Sequence, residues 1–134
     1  MEINSKTENK NIERTAFGIL LTVSFCHLLD DTMHSMLPAI YPMLKDEFGL
    51  SFLQIGIITF VLQITSSIIQ PFVGLYADKH HSWWQLPVSM IFTLIGIFML
   101  SYANSFYVIL LSVSLFGLGS SIFHPQGSQV AQQA

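Results

Sequence analysis

The chain is 134 residues long, 51% hydrophobic and only 10% charged, with five Lys or Arg against eight Asp or Glu and a net charge of −3. A soluble domain carries about 25% charged residues, and the mean hydropathy here is +0.57, so a water-solvated globule is excluded. The few bases form no patch for nucleic acid. The lone Cys26 excludes a disulfide framework or a cysteine-rich metal centre and reads as a small packing residue. No nucleophile and base pair, phosphate loop or cysteine-metal spacing points to an enzyme.

The chain opens on a polar stretch of mixed charge, with Lys6, Lys10 and Arg14 set against Glu2, Glu8 and Glu13. This reads as an unstructured cytoplasmic tail over residues 1–16. A cleaved signal peptide does not fit, because the apolar segment after Arg14 is too long and carries ionisable groups at its centre. Residues 17–134 then divide into apolar runs at about 17–44, 52–73, 83–102 and 106–123, each near the roughly 20 residues needed to cross a bilayer core. No run alternates as a barrel strand does, and the helix is the other element that satisfies its own backbone in lipid. The expected fold is an all-α integral membrane chain of about four transmembrane helices.

Phe48-Gly49-Leu50-Ser51 and Tyr102-Ala103-Asn104-Ser105 read as turns, the first with Ser51 as a helix N-cap and Gln54 three residues on. Trp83 and Trp84 stand where the third span enters the membrane, as interfacial anchors do. Lys6, Lys10 and Arg14 flank one side, Lys79 returns to it after two crossings, and Lys45 is alone on the other. That distribution places the amino terminus in the cytoplasm.

The first span carries His27, Asp30, Asp31 and His34. At 100° per residue, His27, Asp31, His34 and Pro38 fall within about 60° of one another, with Asp30 to one edge. A helix over 17–44 is about 42 Å long, so its centre near residue 30 falls close to the bilayer midplane. A charge there costs about 2.5–3.5 kcal/mol on insertion scales and normally faces a bundle interior or a wet cavity. The functional reading is a proton- and substrate-binding site in which Asp31 exchanges a proton and the histidines assist. The plainer readings are a polar network that fixes helix packing, or a span that ends near residue 29 and leaves the cluster wet. Imidazole and carboxylate also suit several divalent metals, but the ligands of one helix cannot close a coordination shell, so no metal is expected.

In the second span Gln54, Thr65, Ser66 and Ser67 read as packing and interhelical hydrogen-bonding residues. Gln63 and Gln70, spaced i, i+7, are the exceptions and are expected to face a cavity. In the fourth span Gly117-Leu118-Gly119-Ser120-Ser121 offers small residues for tight helix contact. His124 reads either as a gating or proton-carrying residue at the cytoplasmic edge or as a simple interfacial one, and Pro125 is expected to end or kink the helix.

Gly74-Leu75-Tyr76-Ala77-Asp78-Lys79-His80-His81 reads as a short polar turn between two apolar segments. It resembles the loop between the second and third helices of major facilitator transporters, Gly-x-Leu-Ala-Asp-Arg-x-Gly-Arg-Arg or Lys. Gly74, Ala77, Asp78 and the conservative Lys79 match, while Tyr76, His81, Ser82 and Trp83 replace the Leu, Gly and paired bases. Asp78 is expected to act as a conformational latch by accepting hydrogen bonds from the amino-terminal amides of a neighbouring helix. The series His27-Leu28-Leu29-Asp30-Asp31, Ala39-Ile40-Tyr41-Pro42, Gln54-Ile55-Gly56, Gln70-Pro71 and Phe123-His124-Pro125 is similar to the fosmidomycin resistance branch of that superfamily. The branch shows Asn-Asp in place of Asp30-Asp31, and Glu and Arg in place of Gln126 and Gln129. The resemblance implies an inner-membrane, proton-driven exporter of small drugs or metabolites. Its partners would be the lipid bilayer, a small-molecule substrate and further transporter helices, with the proton gradient in place of a cofactor.

Such transporters have two six-helix halves, each nesting inverted three-helix repeats. This chain supplies one triplet and the first helix of the next, which reads as a truncated amino-terminal domain over 17–134. The other reading is a small four-helix membrane protein that packs against a partner and transports nothing. Coding sequence for further helices beyond Ala134 would separate the two.

Overall fold

A computed structural model of the chain describes residues 2–79 and 84–133, with side chains from Arg14 onward except those of Ala77, Asp78 and Gln133. The described elements are α1 (Glu2–Phe48), α2 (Phe52–Gln63), a π-helical turn (Ile64–Ile68), α3 (Gln70–Lys79), α4 (Gln85–Ser101) and α5 (Phe106–Gln133). Arg14–Phe48, Phe52–Tyr76 and Phe106–Gln132 are long and apolar enough to cross a membrane, and α4 is a shorter apolar helix. α5 packs against α1, α2, the π turn and α3, and most extensively against α4. It is the centre of the bundle.

The turns follow from their residues. Gly49 adopts φ +60°, the left-handed conformation that glycine enters without a Cβ penalty. The Leu50 amide then donates to the Lys45 carbonyl at 2.9 Å, closing α1 with a Schellman motif whose flanking Leu44 and Leu50 are both buried in one core cluster. Ser51 caps α2 as expected: the Ser51 amide donates to Gln54 Oε1 at 2.8 Å and the Gln54 amide donates to Ser51 Oγ at 3.2 Å. A hydrogen bond of 3.2 Å between Thr59 and Tyr41 ties α2 to α1. The expected turn over residues 102–105 separates α4 from α5.

Outside the apolar core cluster, burial differs from that of a soluble bundle. Phe17, Phe25, Leu28, Phe52, Phe98 and Leu111 are exposed, whereas Ser89, Ser112, Ser120 and Ser121 are fully buried. Large apolar side chains on the outside suit a hydrocarbon solvent, and small residues inside let helix backbones approach closely. Three of these four serine hydroxyls satisfy themselves within their own helix: Ser89 donates to the Leu86 carbonyl, Ser112 to Val108 and Ser121 to Leu118, at 2.7–2.8 Å. Such back-bonding lets serine sit in an apolar interior without a partner on another helix.

Several boundaries differ from the sequence reading. α1 begins at Glu2, so residues 2–16 are helical rather than an unstructured tail; they contain no Gly or Pro, and a nucleated helix gains one bond for each residue added. The second span is broken by the π turn. Pro71 has no amide to offer the Ser67 carbonyl one turn back, and Thr65 Oγ1 competes for the Val61 and Leu62 carbonyls at 2.8 and 3.0 Å, so the widened turn falls where the ladder is already disturbed.

Gly74 to Lys79 are helical, not a turn. A Cβ at Gly74 would lie 3.8 Å from Pro125 Cβ, in ordinary contact, so the glycine marks the approach of α5 and not a helix end. His80 to Trp83 lie outside the described residues, and α4 starts at Gln85. α5 runs through Pro125 to Gln133, so this proline does not end the helix; it removes one backbone bond, to the Ser121 carbonyl, and the ladder resumes beyond it.

Candidate functional site

The run from Gly117 to Ser120 places α5 against its neighbours on three sides. A Cβ at Gly117 would lie 3.1 Å from the Leu62 carbonyl and 3.0 Å from Thr65 Cβ, so this glycine seats the π turn. A Cβ at Gly119 would lie 2.7 Å from the Ser89 carbonyl and the Thr93 amide, so the next glycine seats α4. Ser120 turns to α1. Among the described residues it is the one fully buried serine whose hydroxyl is seen to leave its own helix, and it donates to Asp30 Oδ2 at 2.9 Å.

Asp30 is therefore the most enclosed of the polar residues on α1 whose side chains are described. Its residue exposure is 2%, His124 Nε2 lies 3.7 Å from Oδ2, and Oδ1 has no hydrogen-bond partner among the described residues. The helical wheel set Asp30 at one edge of the stripe, and that edge is the one covered by α5. Asp31 is instead more than half exposed and lies 3.5 Å from His27 Nε2 on its own helix. The cause is tertiary, because α5 packs on the Asp30 side of α1. A carboxylate removed from water needs a partner or a proton, and the His124 imidazole stands beside Asp30 as a group able to exchange one.

Next to this contact, Asp31, His34, Gln63, Ser66, Ser67, Gln70, Ser120 and His124 line a polar cavity of about 280 Å³. Five of them are residues that the sequence marked: Asp31, His34, Gln63, Gln70 and His124. Gln63 and Gln70 bracket the π turn, which carries Ser66 and Ser67 to the same cavity. His34 also packs its ring against Phe116, with centroids 5.1 Å apart, and His27 stacks edge-on to His124 at 4.8 Å. The sequence marks Ser66 and Ser67 for packing and interhelical hydrogen bonding and Ser120 for tight helix contact, not for a cavity, since nothing local distinguishes a serine that returns its hydroxyl to its own helix from one that crosses to another.

Gly74 and Lys79 are not among the lining residues, and the side chains of Ala77 and Asp78 lie outside the described residues. His124 sits within α5 rather than at its end. Ligand atoms of His27, Asp31 and His124 lie within 4.8 Å of one another, so α5 adds a third donor to a set that the sequence confined to α1.

The sequence profile of the Major Facilitator Superfamily matches residues 20–133. The chain is 50% identical over 121 residues to the "Fosmidomycin resistance protein" of Escherichia coli (strain K12), covering 90% of this chain and 30% of that relative. It is 41% identical over 137 aligned residues to the "Uncharacterized MFS-type transporter YfnC" of Bacillus subtilis (strain 168), covering 100% of this chain and 34% of that relative. The chain thus spans about a third of the length of the curated relatives it matches. No solved structure is significantly similar to it.

Proposed function

Because the chain belongs to the Major Facilitator Superfamily, we propose that it forms part of a secondary transporter that exports small drugs or metabolites in exchange for protons. The observation that carries this reading is the pairing of buried Asp30 with Ser120 and His124 at the edge of a polar cavity, within helices that are otherwise apolar outside. Ionised Asp30 accepts the Ser120 hydroxyl hydrogen bond, and a proton arriving from the cavity past His124 binds Oδ1, the oxygen with no partner. Substrate enters the cavity against Asp31, His34, Gln63 and Gln70. Loss of charge at Asp30 loosens the hold of α1 on α5, which is how proton exchange would bias two arrangements of the helices. The opposite wall of the site comes from further helices, for which the greater length of the relatives leaves room.

The reading is tested by exchanging this chain for the matching third of the E. coli relative and expressing the chimera in a fosmidomycin-sensitive strain. Tolerance should rise above that of the empty vector, and substrate added to everted vesicles should move protons, followed with a pH-sensitive dye. A chimera that inserts stably yet does neither would sink the proposal.

We place the chain in the inner membrane with its amino terminus in the cytoplasm, because Lys79 and the early bases share one side. A reporter active only outside should work when fused near Asp46 and fail when fused near Lys79; the reverse pattern would overturn the orientation. Asp78 keeps its proposed part as a conformational latch, for which slower turnover of Asp78→Asn with unchanged insertion is the expected sign.

A further inference from the structure

His27, Asp31 and His124 converge from two helices beside the polar cavity, and the transport reading does not use them as a set. We propose that these three side chains bind a divalent transition cation of the zinc class and so bridge α1 to α5. His27 and Asp31 are spaced i, i+4, which stacks them on one face of α1, and His27 Nε2 lies 3.5 Å from Asp31 Oδ2. Zinc bonds of about 2.0–2.1 Å at tetrahedral angles set donor atoms roughly 3.3 Å apart, so this pair is already spaced for a shared ion. His124 from α5 brings the third donor, with all three ligand atoms inside 4.8 Å. The side chains of His27 and Asp31 are 44% and 56% exposed, which leaves them room to close the remaining distance by rotation.

The donor set selects the ion. Two imidazoles and one carboxylate suit zinc and its first-row neighbours, whereas magnesium and calcium take oxygen ligands. A fourth position can open on the cavity, which Asp31 and His124 both line and whose volume of about 280 Å³ admits water. Asp30 Oδ2 lies 3.7 Å from His124 Nε2, so a further carboxylate stands beside the donor set. The bound ion holds α1 against α5 and competes with protons for all three groups. Binding stands on this geometry and does not depend on transport.

The test uses the purified chain of residues 1–134, in detergent and free of any polyhistidine tag, titrated calorimetrically with Zn²⁺ and separately with Mg²⁺. One Zn²⁺ should bind per chain, with Mg²⁺ giving no saturable heat. His27→Leu, Asp31→Leu and His124→Leu should each weaken Zn²⁺ binding at least tenfold, while Asp46→Asn leaves it unchanged. His124→Cys restores a zinc donor and should recover most of the affinity lost in His124→Leu, which separates ligation from folding. The proposal is overturned if the unaltered chain binds no Zn²⁺, or if the Cys and Leu variants at position 124 bind it equally.

Discussion

Alanine at Gly119 should destabilise the chain by about 1–3 kcal/mol, whereas alanine at Gly56 should be neutral or stabilise it by up to about 1 kcal/mol. The opposite signs come from what each new methyl meets. At Gly119 it would lie 2.7 Å from the Ser89 carbonyl and the Thr93 amide, and a methyl at the partner glycine on α4, Gly96, would lie 2.6 Å from the Phe116 amide and 2.8 Å from the Ser112 carbonyl. These obstacles are backbone atoms, which no rotamer change can remove, so α4 and α5 must move apart. At Gly56 nothing lies within 4 Å, and alanine gains helix propensity without a clash. Unfolding the chain in mixed micelles by SDS titration, followed by helical circular dichroism, would read both changes. Equal tolerance at the two positions would show that α4 and α5 do not pack through these glycines.

The two glycines also mark the boundary between what the sequence made legible and what it did not. Apolar length located the helices, and the Ser51–Gln54 pair located the start of α2, because each signal is satisfied within a few residues. The cluster on α1 and the pair Gln63 and Gln70 were visible for the same reason, as polar groups at helical spacing inside apolar runs. Which neighbour each group faces was not visible. Gly117, Gly119 and Ser120 fall within one helical turn yet address the π turn, α4 and α1 in turn, and that division exists only once α5 lies between them. The π turn was hidden because Thr65, Ser66 and Pro71 are each common in membrane helices; their combined effect on the backbone ladder appears only in three dimensions. The burial of Asp30 was hidden for the same tertiary reason, since a helical wheel gives relative angles and not the side on which the next helix packs.

Asp30→Asn should abolish substrate-driven proton movement in the chimera while leaving the helices assembled, and Asp31→Asn should have the smaller effect. Asparagine matches aspartate in shape, so its amide oxygen can still accept the Ser120 hydroxyl that now sits 2.9 Å from Oδ2. It cannot exchange a proton. Asp30→Leu differs, because it leaves the fully buried Ser120 hydroxyl without its acceptor, at a cost of about 1–3 kcal/mol for the stranded donor. Leucine should therefore lower stability and flux together, whereas asparagine keeps the Ser120 bond, loses only the charge facing His124, and should abolish flux with a smaller loss of stability. Asp31 is more than half exposed and pairs with His27 on the same helix, so its neutralisation releases no interhelical contact and should affect substrate binding more than coupling. Proton movement in everted vesicles and thermal unfolding of the purified variants separate these outcomes. If Asp30→Asn moved protons at the unaltered rate, the buried carboxylate would be a structural tether between α1 and α5, and the coupling site would have to be sought on the cavity wall at Asp31 and His34.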